Sequence, residues 1–155
     1  GERITLIDDR GHVLDANEGL LAMLTLVRSR IQGDRVALPV SATMRAGEIL
    51  AEAGISVLPT KTSPPALMDA STAPGVGFAG DLNGGFIVPG FLPAFDGAAS
   101  LVKLLDLLAH QGGALSEIGL ALKSAAIQSG EYDGFKKVMK VMGAQHPELA
   151  RGLGF

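Results

Sequence analysis

A chain of 155 residues with 47% hydrophobic and 19% charged residues can bury a core, so one domain with or without an appendage is expected. The formal net charge of −3, the lack of any Lys/Arg cluster and the absence of Trp argue against nucleic acid or a membrane surface as partners. There are no cysteines and no apolar run near the ~18 residues of a membrane span, so a cytoplasmic protein without disulfides is expected.

The N-terminal residues have a strand-like pattern. Residues 3–9 and 12–15 are two short runs rich in β-forming residues, and the turn residues Arg10 and Gly11 between them predict a β-hairpin. The chain starts directly inside this pattern and without Met, so we interpret it as a piece of a longer protein. Residues 1–15 are therefore predicted to be the hairpin remnant of a preceding domain.

Between residues 16 and 123, short apolar runs alternate with helical patterns. Strands are predicted over residues 35–40, 55–59, 76–79 and 86–88, and helices over residues 18–31, 42–53, 64–68, 96–109 and 114–123. Strands that lead into helices through short connections predict the α/β class. We expect a three-layer α/β/α domain with a small mixed sheet of about four strands and helices on both faces.

Further details of the helices follow from single residues. A polar residue before a helix can accept hydrogen bonds from free backbone N–H groups, and this role is predicted for Asn17, Ser41 and Asp96. Leucines at helical spacing predict the buried stripe of the helix over residues 96–109: Leu101, Leu104, Leu105 and Leu108. Residues 124–155 are predicted to be a helical tail, with one helix over residues 131–142.

The segment Gly80-Asp81-Leu82-Asn83-Gly84-Gly85, called the 80–85 turn below, is the most informative for function. Asp81 offers a charged acceptor, Asn83 offers a donor and an acceptor, and the glycines let a ligand approach the backbone closely. These groups suit the vicinal hydroxyls of a sugar. Acidic Gly-rich hairpin turns are also common in their own right, so a purely structural role for Asp81 and Asn83 stays open.

Four segments in the same order resemble the α-D-phosphohexomutase superfamily, which includes phosphomannomutases and phosphoglucomutases, over roughly residues 1–118. The segments are Gly1-Glu2-Arg3 with the strand after it, Thr60-Lys61-Thr62, the 80–85 turn, and Phe95-Asp96-Gly97 with a Leu-rich helix and Leu115-Ser116-Glu117-Ile118. The chain is similar to the end of the second domain plus the third domain of these four-domain enzymes. It also resembles mutase-like regions fused behind a sugar-phosphate nucleotidyltransferase.

The resemblance implies roles for individual residues. Glu2 stands at the third aspartate of the family's Mg²⁺ loop, and Arg3 would be a catalytic residue that faces the substrate. Lys61 and three residues of the 80–85 turn would bind a hexose phosphate: Asp81, Asn83 and Gly84. Asp81 and Gly85 stand where the family has Glu and His, so part of the family's substrate contacts are changed. Asp81 itself is expected to be an exposed turn carboxylate that contributes little to folding.

Two hypotheses about function follow. In the first, this chain is the sugar-phosphate-recognition domain of an enzyme that interconverts hexose 1-phosphate and hexose 6-phosphate through a phosphoserine and Mg²⁺. The Mg²⁺ site would be incomplete in this chain, the remaining domains of the parent protein would be partners, and the isolated chain would be inactive. In the alternative, the chain is a non-catalytic regulatory or structural module attached to a sugar-phosphate nucleotidyltransferase.

Overall fold

The computed structural model describes the backbone of residues 1–128 and the side chains of residues 1–124. Within these residues the helices are α1 (Ala16–Val27), α2 (Met44–Ala51), α3 (Pro64–Ser71), α4 (Gly97–Gln111) and α5 (Leu115–Gln128). The strands are β1 (Arg35–Pro39), β2 (Ser56–Thr60), β3 (Val76–Gly80) and β4 (Phe86–Ile87). The helix predicted over residues 131–142 lies outside the described residues. No helix of the described part of the chain is long and apolar enough to span a bilayer.

The strands form one mixed sheet in the order β2-β1-β3-β4. β1 pairs with β2 and with β3 in parallel, whereas β4 pairs with β3 antiparallel across the 80–85 turn. The carboxyl ends of β1, β2 and β3 therefore meet at one edge of the sheet. The predicted mixed sheet is confirmed, and both Lys61 and the 80–85 turn follow strands that end at this edge.

Helices cover both faces of the sheet. Ala37, Ala79 and Ile87 are register partners on one face, and they pack in a buried cluster with Leu67 of α3. On the other face the rings of Phe78 and Phe86 stack with centroids 5.9 Å apart. Gly80 lies there against Leu20 of α1, and α1 in turn contacts α2 and α4. Because side chains alternate along each strand, these two sets define the two outer layers of the predicted α/β/α domain.

The starts of two helices differ from the predicted caps. Asp15, not Asn17, caps α1: its Oδ1 accepts from the Glu18 N–H at 2.8 Å, and the Glu18 carboxylate accepts from the Asp15 N–H at 3.0 Å. This reciprocal pair satisfies two backbone donors, which a cap at Asn17 would not. Ser41 does not cap α2, because the Ala42 N–H donates to the Pro39 carbonyl and closes a turn there. The helix begins after this turn, with Thr43 in the cap position.

The predicted stripe of α4 is partly wrong. Asp96 does cap the helix, since its Oδ1 accepts from the Ala99 N–H at 2.8 Å. Two of the four leucines, however, are exposed, Leu101 by 48% and Leu105 by 57%. The helical face that packs against the domain instead holds Gly97, Ser100, Leu104 and Leu107. A small residue at Gly97 brings the first turn close to the N-terminal segment, and this contact sets the rotation of the helix.

The predicted N-terminal hairpin consists of a single antiparallel bridge between Ile7 and Val13. The Asp8 N–H donates to the His12 carbonyl at 2.9 Å, and the Leu14 N–H donates to the Leu6 carbonyl at 3.0 Å. Leu6 and Leu14 are buried, whereas Ile7 and Val13 are exposed by more than half. The two runs thus meet as predicted, but with too few ladder bonds to form regular strands.

Candidate functional site

The 80–85 turn closes around its own carboxylate. Oδ1 of Asp81 accepts from the backbone N–H groups of Asn83 at 2.7 Å and Gly85 at 2.8 Å, while the Asp81 N–H donates to the Gly85 carbonyl at 2.9 Å. The residue is only 7% exposed, so the expectation of an exposed carboxylate is wrong. The physical reason is that these inward-pointing N–H groups need an acceptor, and the side chain two residues before Asn83 supplies it.

Arg3 occupies the second oxygen of this carboxylate. Its Nη2 lies 3.1 Å from Oδ2 of Asp81, and the side chain is 36% exposed. The guanidinium carbon also lies 5.4 Å from the centroid of the Phe95 ring, within the range of a cation–π contact. The charge of Asp81 is therefore balanced by one cation and two N–H groups, and neither of its oxygens is unpaired.

Three glycines allow the N-terminal segment and Phe95 to approach the turn. Gly84 has φ +75°, and a Cβ on it would overlap the carbonyl oxygen of Ile4, whose own N–H donates to the Gly84 carbonyl at 2.9 Å. A Cβ on Gly85 would stand 2.7 Å from Cε1 of Phe95. One on Gly97 would stand 2.8 Å from the carbonyl oxygen of Gly1. A larger side chain at any of these positions would displace backbone or a buried ring.

Asn83 and Gly84 line a cavity of about 290 Å³. The cavity lies between the turn, the N-terminal segment and the start of α1, where Thr5 and Asp15 also reach its wall. Asn83 is exposed, and among the described residues only its backbone N–H is hydrogen-bonded within the protein. The side-chain amide is consequently available to a ligand, in a concave space near the lower size limit of small-molecule sites.

Lys61 lies at the same edge of the sheet but is not part of the turn. It follows Thr60, the last residue of β2, and is exposed. In the strand order β2-β1-β3, two strand spacings separate it from the turn, which is about 10 Å. The structure therefore brings Arg3, Asp81, Asn83 and Gly84 together and places Lys61 at a distance from them.

Glu2 contributes a single acidic side chain. Its side chain is 73% exposed and its carboxylate lies 3.9 Å from Nη1 of Arg3. Within residues 1–128, no group of three or more acidic or histidine side chains is close enough together to hold a metal ion. A carboxylate oxygen is the ligand that Mg²⁺ prefers, but one such ligand does not make a site. The metal role of Glu2 stays a prediction that requires ligands from elsewhere.

The sequence did not predict two sets of contacts, those of Phe95 and those of Asp9. Phe95 stands alone before Asp96, outside any apolar period, yet it is 8% exposed and contacts both Arg3 and Gly85. Asp9 accepts from the backbone N–H of Ser116 at 3.0 Å and from its hydroxyl at 2.9 Å. These bonds, the backbone one first, hold the pKa of Asp9 below its ordinary value. Asp9 thereby connects the N-terminal turn to the start of α5.

A larger cavity, of about 890 Å³, lies at the opposite edge of the sheet, where β3 begins. Its wall includes Val76, Phe91 and Lys103, and none of the predicted site residues. Lys103 pairs with Asp106 at 3.1 Å, and this bond is the main cause that holds the pKa of Asp106 below its ordinary value. Of the predicted site residues, Asn83 and Gly84 line the smaller cavity and none lines the larger one.

Residues 16–124 match the sequence model of one family, described as phosphoglucomutase/phosphomannomutase, alpha/beta/alpha domain III. The chain belongs to this family. As a domain III, it is 24% identical over 127 residues to a phosphoglucosamine mutase of Maricaulis maris, covering 81% of this chain and 28% of that protein. It is 28% identical over 117 residues to a phosphoglucosamine mutase of Methanococcus maripaludis strain C7, covering 76% and 26%.

Solved structures agree on the fold of this domain III. A Thermus thermophilus protein assigned as a phosphomannomutase superposes with a TM-score of 0.69 at 21% identity, over 79% of this chain and 28% of that one. A phosphoglucomutase/phosphomannomutase family protein of Burkholderia thailandensis gives 0.61 at 23% identity, over 71% and 24%. The chain spans about a quarter of the length of the curated relatives that it matches.

Proposed function

We propose that this domain III recognises the sugar of a hexose phosphate, within a parent protein that interconverts hexose 1-phosphate and hexose 6-phosphate. The observation that carries the proposal is the exposed amide of Asn83 beside Gly84 on the wall of the 290 Å³ cavity, in a domain of this family. An amide that can donate and accept suits two neighbouring hydroxyls of a pyranose. The sugar would lie against the 80–85 turn.

The other predicted residues take parts that follow from their positions. Asp81 holds the turn closed. Its carboxylate would not contact the sugar itself, and would affect binding by orienting the backbone of Asn83 and Gly85. Lys61, at about 10 Å from the turn, would meet the phosphate of a ligand whose sugar contacts Asn83. Arg3 keeps a partly exposed guanidinium edge beside the turn and would approach the phosphate or the reacting hydroxyl.

Magnesium would act in the parent enzyme by stabilising charge on the transferring phosphoryl group. In this chain Glu2 is the residue that would help to hold it. The phosphoserine nucleophile and the remaining metal ligands would come from other domains of the parent protein. Several such parts act together in phosphoryl transfer, so binding rather than turnover is the property expected of this chain by itself.

A titration of the isotope-labelled chain with hexose 6-phosphate tests the proposal. We expect the amide signals of Gly80 to Gly85 and of Lys61 to shift, with a dissociation constant in the millimolar range, or about 4 kcal/mol. Asn83→Ala should remove most of the shift and leave the fold intact. Gln111→Ala, which removes an exposed amide at the end of α4, is the matched control and should bind as the unaltered chain does.

Amides of the 80–85 turn that stay unmoved at saturating hexose 6-phosphate would contradict the proposed site. Equal weakening of binding by Asn83→Ala and Gln111→Ala would also contradict it, since the Asn83 amide would then contribute no more to binding than an exposed amide elsewhere on the domain.

A second candidate function, a non-catalytic module joined to a nucleotidyltransferase, is favoured by two observations at the turn. Both oxygens of Asp81 are engaged inside the turn, and Phe95 fills the space where a side chain at Gly85 would stand. Activity and binding measurements on the parent protein distinguish the two candidate functions. A parent that binds hexose phosphate but shows no mutase activity, and lacks an Asp-x-Asp pair just before Gly1, would be such a module.

A further inference from the structure

We propose that Arg3 is a positioning residue, which acts through Asp81 to hold the 80–85 turn in the conformation that presents Asn83. The N-terminal segment and the turn would then be one recognition unit, although about 80 residues separate them in the sequence. This inference rests on the proposed function for its ligand, but the positioning itself can be measured without any ligand.

The first step is the burial of Asp81. A carboxylate that is 7% exposed loses most of its hydration, so each of its oxygens needs a partner inside the protein. Oδ1 has two, the N–H groups of Asn83 and Gly85. Oδ2 accepts from the Arg3 guanidinium alone among the described side-chain hydrogen bonds. Without Arg3, this oxygen would be buried and uncompensated, and the carboxylate would turn outward towards water and release the two N–H groups.

The second step is that the backbone on both sides of Arg3 is anchored. The Ile4 N–H donates to the Gly84 carbonyl at 2.9 Å, and the Gly1 carbonyl accepts from the Gly97 N–H at 2.9 Å. Neither anchor leaves room for a side chain, because a Cβ on Gly84 would overlap the Ile4 carbonyl oxygen and a Cβ on Gly97 would stand 2.8 Å from the Gly1 carbonyl oxygen. Arg3 is thus fixed between two close contacts before its side chain reaches Asp81.

The third step fixes the guanidinium plane. It lies 5.4 Å from the ring centroid of Phe95, which packs against Gly85 on the far side of the turn. Arg and Lys are not equivalent here, because only the planar fork can face a ring and donate in its own plane to a carboxylate. A movement of residues 1–3 would therefore loosen the turn. The affinity for a ligand bound by Asn83 would then depend on the position of the segment that carries Glu2.

Amide exchange of the ligand-free chain tests the positioning. We expect Arg3→Gln to raise the exchange rates of the Asn83 and Gly85 amides by at least about tenfold, and Arg3→Lys to restore part of the protection. Arg30→Gln removes an exposed arginine on the other side of the domain and should change neither amide. Equal protection of the Gly85 amide in Arg3→Gln and Arg30→Gln would overturn the inference.

Ligand affinity supplies the second readout. Arg3→Gln should weaken hexose 6-phosphate by about tenfold in the chain with Asp81, and by much less in an Asp81→Asn background, since Arg3 acts through that carboxylate. An equal loss in both backgrounds would mean that no part of the effect of Arg3 on the ligand passes through Asp81, and the positioning role would be wrong. If the unaltered chain binds no sugar phosphate while the exchange result holds, the proposed function fails and the positioning of the turn stands.

Discussion

Asp81 is the residue whose environment departs most from a simple turn. Its carboxylate makes hydrogen bonds to two backbone N–H groups and an ion pair to Arg3, while the residue is only 7% exposed. Removing it leaves all three donors without their partner. The turn therefore depends on this side chain for its stability, whatever part it takes in binding.

We expect Asp81→Ala to lower the free energy of unfolding by about 2–4 kcal/mol, because it leaves buried donors and a partly buried cation unpaired. Asp69→Ala is the control: Asp69 is exposed in α3, and the hydrogen bonds that it accepts from described residues go to its backbone carbonyl. Urea unfolding of both variants checks this. Similar midpoints for the two would show that the Asp81 contacts contribute little to stability.

Gly85 and Phe95 should be energetically coupled. Gly85→His would place a side chain within 2.7 Å of Cε1 of Phe95, so we expect it to destabilise the domain by about 1–3 kcal/mol, as overpacking does. In a Phe95→Ala background, the same change should cost less, because the alanine leaves room for the imidazole. A double-mutant cycle by thermal unfolding measures the coupling; additive effects would mean that the two side chains do not compete for space.

At the scale of elements, the caps decide where helices begin. Asp15→Ala should destabilise the domain by about 1 kcal/mol, since the reciprocal bonds with Glu18 are lost. Asn17→Ala, two residues further on in the first turn, should change the free energy of unfolding by less than about 0.5 kcal/mol. Urea unfolding of both variants makes the comparison. An equal effect would restore Asn17 as a capping residue.

The contact of Asp9 with the start of α5 should be pH-dependent. Hydrogen bonds from Ser116 hold the pKa of Asp9 below its ordinary value of 3.8. A carboxylate whose pKa is lower in the folded state contributes stability that is fully present above the unfolded pKa and is lost as the pH falls through the folded pKa. Thermal unfolding should show Ser116→Ala to be destabilising at pH 6 to 7, with a smaller difference below about pH 3.8. A difference that is constant across this range would contradict the link.

The same elements show what the sequence could and could not predict. Short apolar runs that alternate with helical patterns predicted the mixed sheet and its two helical layers. Strands buried in a sheet need continuous apolar runs, and helices that pack on the sheet need apolar residues at helical spacing. The cap of α1 was misplaced by two residues, since Asp15 and Asn17 are both good caps and only the position of Glu18 decides between them. The buried face of α4 was predicted in a rotated position, because leucines at helical spacing occur on two adjacent faces of the helix. The face that contains Gly97 is the buried one, since a residue without a side chain allows the close contact there.

The sequence singled out candidate site residues but could not predict their contacts. The resemblance singled out Arg3, Asp81 and Asn83, and the structure brings all three to one place. That Asp81 points inward follows from the backbone of Asn83 and Gly85, and that Arg3 meets it follows from a contact across 78 positions. No local pattern carries such long-range information. For the same reason the resemblance included Phe95 in one of its segments but did not predict its contacts with Arg3 and Gly85.

At the scale of the whole molecule, the chain corresponds to about a quarter of its relatives. We expect no conversion of hexose 1-phosphate to hexose 6-phosphate by the isolated chain, because positioning and charge stabilisation by several parts are needed at once. A coupled assay of hexose 6-phosphate formation checks this, with the parent protein as the positive control if it is a mutase. Turnover by this polypeptide without added protein would contradict the expectation.

The close approach of Gly84 and Gly97 to residues 1–4 has a consequence for how this domain can be excised. The family match begins at residue 16, but the turn that carries Asn83 is completed by a segment that lies before it. Cutting the gene at residue 16 would remove both the Arg3 partner of the Asp81 carboxylate and the Ile4 N–H that donates to the Gly84 carbonyl. An excised domain must therefore keep residues 1–15, and grafting the 80–85 turn alone onto another scaffold would transfer its sequence without its shape.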